Sequence, residues 1–276
     1  MGVSGLQKLN IAAAVAHGAI AVGLVGWMAS HPVAADAPDL PLFSGEYVSP
    51  TVQITQRQWS SDWLLGLLAV FSVITCIFHI LYAAGVNNYV TGAAAGTNPL
   101  RWLEYGITAT IMLLVIAMSS GTAESSAQVF ILVCGVCCMA MGALVERAWS
   151  RGDTQSVIIG TVVGWVLLMA AYGMIFRSFH RANNPADPNT PTPPDFVTAI
   201  VWGMFAMFSS FGVIQLWQVA RAKPGTATSK QGYEVAYIVD SFASKALLVG
   251  LLFGGVAGRR GGPSGESKKV TNAGAS

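Results

Sequence analysis

Long apolar stretches separated by short polar ones run the length of the chain. Seven of them, at 8–30, 62–85, 99–120, 126–148, 155–177, 195–221 and 232–257, each hold the roughly 20 residues that a helix needs to cross a hydrocarbon core. Pro32, Pro38, Pro41, Pro50, Pro185, Pro188, Pro191, Pro193, Pro194, Pro224 and Pro263 all fall outside these runs, and Pro99 opens one. Proline breaks the helical ladder and bars the preceding residue from helical angles, so its placement supports the borders independently of hydropathy. Asp62, Asn98 and Asp195 stand where an N-cap or first-turn acid belongs. The pattern changes in the longest connection, His31 to Ser61. There 40–47 and 48–58 alternate polar and apolar about Ser44-Gly45, which predicts a two-stranded hairpin. The Pro/Asn-rich connection after the fifth run has no period, and neither has the Gly/Ser/Lys-rich tail, which is expected to be disordered. The expected architecture is an all-α membrane protein, a seven-transmembrane helix bundle over 1–257 with a β-hairpin between helices 1 and 2. A flexible tail follows at 258–276.

Composition agrees with this reading. The chain of 276 residues is 53% hydrophobic and 10% charged, whereas a soluble domain carries about 25% charged residues to cover its surface. A net charge of +2 gives no basis for binding nucleic acid. Cys76, Cys134, Cys137 and Cys138 all lie in apolar runs, where thiols pack as small apolar groups. Cys134 and Cys137 have C-x-x-C spacing but lack the further ligands of a metal site, so no metal is expected. Lys8 is a lone positive charge before a run long enough to span, unlike a signal peptide.

Loop charges suggest an orientation. With the N-terminus inside, the inner side carries Lys8, Arg101, Arg147, Arg151, Arg221, Lys223 and Lys230, and the outer loops carry Arg57, Arg177 and Arg181. Arg259, Arg260, Lys268 and Lys269 in the tail bring the outer count level. The expected topology is a cytoplasmic N-terminus and an extracellular C-terminus.

The chemistry centres on the seventh run, which carries Lys245 near its middle. A lysine at that depth costs several kcal/mol, so it marks either a functional site or a structural ion pair. Seven spans with a lysine midway along the last is the layout of the rhodopsin type of retinal protein, whose amine condenses with an aldehyde to a Schiff base. The resulting buried cation needs a carboxylate. Glu104 is the best candidate, with Thr108 one turn further on the same face. Two difficulties stand against the pair: Glu104 is also three residues from Arg101, and it lies only about 8 Å into its helix if that helix starts at Pro99.

Three segments carry a family resemblance: Arg-Trp-Leu-Glu-Tyr at 101–105, Phe-x-x-Phe-Ser-Ser-Phe-x-x-x-Gln at 205–215, and Glu-x-Ala-Tyr-Ile-Val-x-Ser-x-x-x-Lys at 234–245. With His17, His79 and the long first connection, they resemble the heliorhodopsins over essentially the whole chain. The resemblance implies a light-absorbing photoreceptor, not an enzyme, with a cytoplasmic N-terminus. It implies all-trans retinal bound as a protonated Schiff base to Lys245, with Glu104 as counterion. It assigns Ser241, Thr108, Thr75 and Gln215 to the cofactor's surroundings. His17, His79 and Glu146 match an inner polar network able to take up a proton, and a homodimer is implied through helices 4 and 5 and the hairpin. Beyond lipid and retinal, the expected partner is a signalling protein or an enzyme. The chain departs from the family at Ile20, where glutamine is frequent, and at Asp240, where an apolar residue is common. Asp240 lies roughly 140° around the helix from Lys245. Asp240, Glu234 and Glu146 are the proton-transfer candidates for an alternative function, light-driven or light-gated proton transport. Against that alternative, Val115 stands where outward pumps of similar sequence have a second acid.

Overall fold

A computed structural model describes residues 4–32, 42–44, 47–48, 53–54, 57–86, 89, 97–185, 192–221 and 230–261. Its helices are α1 (Gly5–Ser30), α2 (Ser61–Ala83), α3 (Pro99–Ser119), α4 (Ser125–Ser150), α5 (Thr154–Asn183), α6 (Asp195–Arg221) and α7 (Lys230–Gly261). Each contains a window apolar and long enough to span a membrane. Most of the expected tail, 258–276, lies outside the described residues.

Local chemistry sets the helix starts. Ser4 and Gln7 form a reciprocal capping box at α1. The Asn98 side chain accepts from the Arg101 amide, and Pro99 occupies a first-turn position where its missing N–H is no loss. The Asp153 carboxylate caps α5 by accepting from Ser156, and hydrogen bonds from Ser156 hold it below the usual carboxylate range. Gly121 and Gly152, with φ of 89° and 75°, make the tight α3–α4 and α4–α5 turns. A side chain at Gly121 would also meet the Ala182 methyl at 2.8 Å.

Two helices outrun their apolar patterns. α5 continues past 177 to Asn183, because nothing in Arg177–Asn183 opposes a helix until Pro185. α7 runs from Lys230 to Gly261 where 232–257 is expected, since helical hydrogen bonds continue past the hydrocarbon boundary. In the first connection, β1 (Leu42–Ser44) pairs antiparallel with β4 (Arg57–Trp59), and β2 (Tyr47–Val48) with β3 (Gln53–Ile54). Ser44 thus pairs with Arg57 and Tyr47 with Ile54, so the strands on either side of the expected Ser44-Gly45 turn pair with later residues and not with each other.

Successive helices pack as neighbours, α7 returns to touch α1 and α2, and α3 is central, touching α2, α4, α5 and α6. Apolar side chains such as Val15, Val22, Ile158 and Val166 face outward, as lipid-facing positions do. Two kinds of interior meet at Lys245. Towards the α7 C-terminus the core is apolar, with Leu64, Leu68, Phe71, Leu113, Ile116, Leu248 and Leu252 buried. Towards the α1 N-terminus lie Asn10, His79, Arg101, Glu146 and Glu234. Among the described residues, every buried Asp, Glu, His, Lys and Arg side chain sits at the level of Lys245 or on this second side. At the opposite end, Arg260 donates to the His31 carbonyl, Ser61 Oγ and Asp62, and stacks on Trp27, tying α7 to α1 and α2.

Candidate functional site

Lys245 Nζ lies 2.9 Å from Glu104 Oε1 and donates to Ser241 Oγ at 2.8 Å. Both charged side chains are nearly inaccessible, at 2% and 1% exposure. Tyr82 donates its hydroxyl to Glu104 Oε2 at 3.1 Å.

The depth mismatch disappears once both helices are measured from a shared level. Asn98 Nδ2 donates to Glu234 Oε1, so the start of α3 is level with Glu234 and not with the start of α7. From there Ser241 is about 10 Å along α7 and Glu104 about 9 Å along α3. The lysine stem folds back one turn to Ser241, in the direction that helical side chains lean. A lysine one turn beyond its acid is thereby brought level with it.

Arg101 does not pair with Glu104. Its guanidinium bridges Glu146 of α4 and Glu234 of α7 and lies 3.9 Å over the Tyr237 ring. Glu146 also accepts from the Asn98 amide and the Trp102 indole, and Glu234 from Asn98 and the Tyr89 hydroxyl. Two buried carboxylates are thus held by one cation and a shell of neutral donors, the condition under which buried charge is tolerated. Burial and the adjacent Glu234 carboxylate push the Tyr89 phenol well above its usual range, so it serves as a donor.

The other expected residues fall into three places. Ser241 and Gln215 line the cavity described below, and Gln215 donates to the Gly142 carbonyl. Thr108 also lines it, but its hydroxyl donates to the Glu104 backbone carbonyl and not to either charge, because a helical threonine reaches the carbonyl one turn back. Thr75 is buried. His17 and His79 stack in parallel, with ring centroids 5.9 Å apart, and His79 Nδ1 lies 2.7 Å from Asn10 Oδ1. Asp240 stands apart on the α6 side, half-buried, accepting from Ser210 Oγ at 2.9 Å on both oxygens. Sequence reading missed Asn10, Tyr82 and Tyr89. Asn10 sits between Leu9 and Ile11 in an apolar run, and a buried amide there is itself a signal.

From the lysine a cavity of about 770 Å³, its mouth included, extends between α3, α4, α5, α6 and α7. Its walls are mainly apolar and aromatic: Trp102, Met112, Met139, Trp165, Phe208 and Phe211. Glycines make room for the rings. A Cβ on Gly142 would stand 2.1 Å from the Trp102 ring, and one on Gly212 would stand 2.6 Å from Trp165. An apolar slot with a primary amine at one end and a carboxylate on that amine fits a long apolar aldehyde. Gly142→Val is therefore expected to drive the Trp102 ring into the slot. Loss of at least half the retinal uptake, read by absorption at saturating retinal, checks this, and overpacking adds about 1–3 kcal/mol of destabilisation. Full uptake would mean that Trp102 does not bound the slot.

A family model described as Heliorhodopsin matches residues 6–257. Among solved structures, the chain is similar to the transmembrane domain and linker region of Salpingoeca rosetta rhodopsin phosphodiesterase. Identity is 17% and the TM-score 0.57, over 92% of this chain and 72% of that one. At that identity the likeness shows the fold alone, a rhodopsin-type bundle. No curated protein matches. A match over nearly all of the seven-helix region, on a bundle with this interior, means that the chain belongs to the heliorhodopsin family of retinal-binding integral membrane proteins.

Proposed function

We propose that this chain is a photosensory rhodopsin in which Lys245 carries all-trans retinal as a protonated Schiff base with Glu104 as its counterion. The observation that carries this reading is the Lys245–Glu104 contact beside an apolar, aromatic cavity that Lys245 lines. Bound there, retinal supplies visible absorption and a light-driven change of shape. The protein supplies the rest. Glu104 balances the buried cation, Tyr82 holds one carboxylate oxygen, Ser241 orients Nζ, and the aromatic walls exclude water. Among the described residues, the buried carboxylates and imidazoles that a proton leaving the Lys245 nitrogen can meet lie at its level or on one side of it, towards His17 and His79.

That one-sidedness favours sensing over pumping, because outward and inward transfer need titratable groups on both sides of the lysine. Here the buried interior beyond Lys245 holds no Asp, Glu, His, Lys or Arg among the described residues. The chain then performs no catalysis of its own, and a signalling protein or an enzyme reads its helix arrangement. The N-terminus is cytoplasmic and the C-terminus extracellular in this reading, which rests on the family resemblance and on the loop Lys and Arg counted without the tail. A homodimer through α4, α5 and the first connection rests on the resemblance and is compatible with the outward apolar faces of those helices. Transport remains the second reading, favoured by one observation: Asp240 is a carboxylate inside a span, bonded to Ser210. A light-evoked current lost in Asp240→Asn would select it.

Purified protein given all-trans retinal is expected to gain a visible band, and Glu104→Gln to shift that band or convert it to the near-ultraviolet absorption of a neutral Schiff base. A spectrum identical to wild type in Glu104→Gln would exclude Glu104 as counterion. Absence of any visible band in wild type would end the retinal reading.

A further inference from the structure

The two clusters on the polar side are almost one. From Lys245 the contacts run to Glu104 and then to Tyr82, whose ring meets His79 edge-on at 5.6 Å. From His79 they continue through Asn10 to Tyr89, then Glu234 and Arg101. Every member is a group that can carry a proton or hold a charge, except Asn10.

The orientation of Asn10 follows from its neighbours. One terminal atom lies 2.9 Å from the Leu6 carbonyl oxygen, which only accepts, so that atom is the amide nitrogen. The same nitrogen donates to the Tyr89 hydroxyl at 3.2 Å, and Tyr89 passes its own proton towards Glu234 at 3.1 Å. The remaining atom, Oδ1, faces His79 Nδ1 at 2.7 Å, so Nδ1 must carry the hydrogen. His79 is thereby held in one tautomer, with Nε2 as a bare lone pair, buried and without a partner. His17 stacks against this ring, and both of its nitrogens are also buried without partners.

We infer that Asn10 is a proton insulator: it fixes His79 so that Nε2 alone accepts, and it bars onward passage to the Tyr89–Glu234–Arg101 cluster. The inference rests on the retinal reading for the source of the proton. A proton that leaves the Lys245 nitrogen for Nε2 makes His79 an imidazolium with both nitrogens protonated. Its next step away from the lysine would place a proton on an amide oxygen, which is not basic near neutral pH. The proton therefore returns by the way it came, and no net transfer results. Asn10 is a positioning residue that touches neither cofactor nor lysine.

Histidine-labelled protein, with His79 assigned by loss of its signals in His79→Gln, tests the tautomer by ¹⁵N NMR in the dark, with and without retinal. The expected result is Nδ1–H in wild type and loss of that preference in Asn10→Leu. The blockade is tested in Asn10→Asp, which substitutes a carboxylate able to take and release a proton. Light pulses on vesicles of this variant are expected to release protons, detected by a pH dye, at least tenfold above wild type. Adding Tyr89→Phe, which removes the next carrier, is expected to return release to the wild-type level while His79 keeps its dark tautomer in the Tyr89→Phe single variant. An Nε2–H tautomer in wild type, or a silent Asn10→Asp variant with an intact visible band, overturns the proposal. Loss of the visible band in wild type overturns the retinal reading instead and leaves the tautomer measurement standing.

Discussion

Lys245→Ala protein, expressed with retinal, is expected to show no visible absorption band, a complete loss and not a shift. The Lys245 side chain is the primary amine in the cavity lining, the group that condenses with an aldehyde to a Schiff base, and alanine has none. The same change removes the cation opposite Glu104, whose carboxylate is 1% exposed. An uncompensated buried charge costs about 3–5 kcal/mol, so the apoprotein loses stability as well unless the carboxyl takes up a proton. Lys245→Arg separates the two effects. Guanidinium keeps a charge for Glu104 but does not condense with an aldehyde, so stability is largely retained while the band is still absent. Absorption spectra and thermal unfolding of the three proteins, in one detergent, decide it. A band surviving in Lys245→Ala would move the attachment point elsewhere.

Arg101→Met is expected to give the largest loss of stability among single substitutions away from the cavity. It leaves Glu146 and Glu234 buried, close together and with no cation between them. Removing one partner of a buried pair costs about 3–5 kcal/mol, and here two carboxylates share the loss. The triple variant with Glu146→Gln and Glu234→Gln is expected to recover most of it, because neutral amides keep the neutral donors of Asn98, Trp102 and Tyr89 occupied. Unfolding of the single and triple variants checks this. A single variant within about 1 kcal/mol of wild type would show that the cluster is solvated and its charges weakly coupled.

The spans were legible in the sequence because the hydrocarbon core imposes a length and proline cannot hide inside a helix. Lys245 was legible for the same reason, as a charge where charge is expensive. Its pairing with Glu104 was less so, since counting each helix from its own start misplaces two helices whose ends are staggered. The partners of Arg101 were out of reach: Glu146 and Glu234 are distant in sequence, and only the fold brings them to one guanidinium. Local spacing favoured Glu104 for Arg101, yet one turn of helix separates their backbones while their side chains take different neighbours. Tyr89 lies outside any apolar run, and no periodicity marks a loop residue that turns inward.

The clamp of Arg260 on α1 and α2 has a mechanical consequence. α7 is a rod of roughly 48 Å pinned near one end. Lys245 lies about 22 Å from that pivot and Glu234 about 39 Å from it. A sideways push of 1 Å at the lysine thus becomes roughly 1.7 Å at Glu234 by leverage alone, if the helix stays straight. The largest swing falls on the salt-bridged end, where a shift of that size is enough to part a carboxylate from its guanidinium.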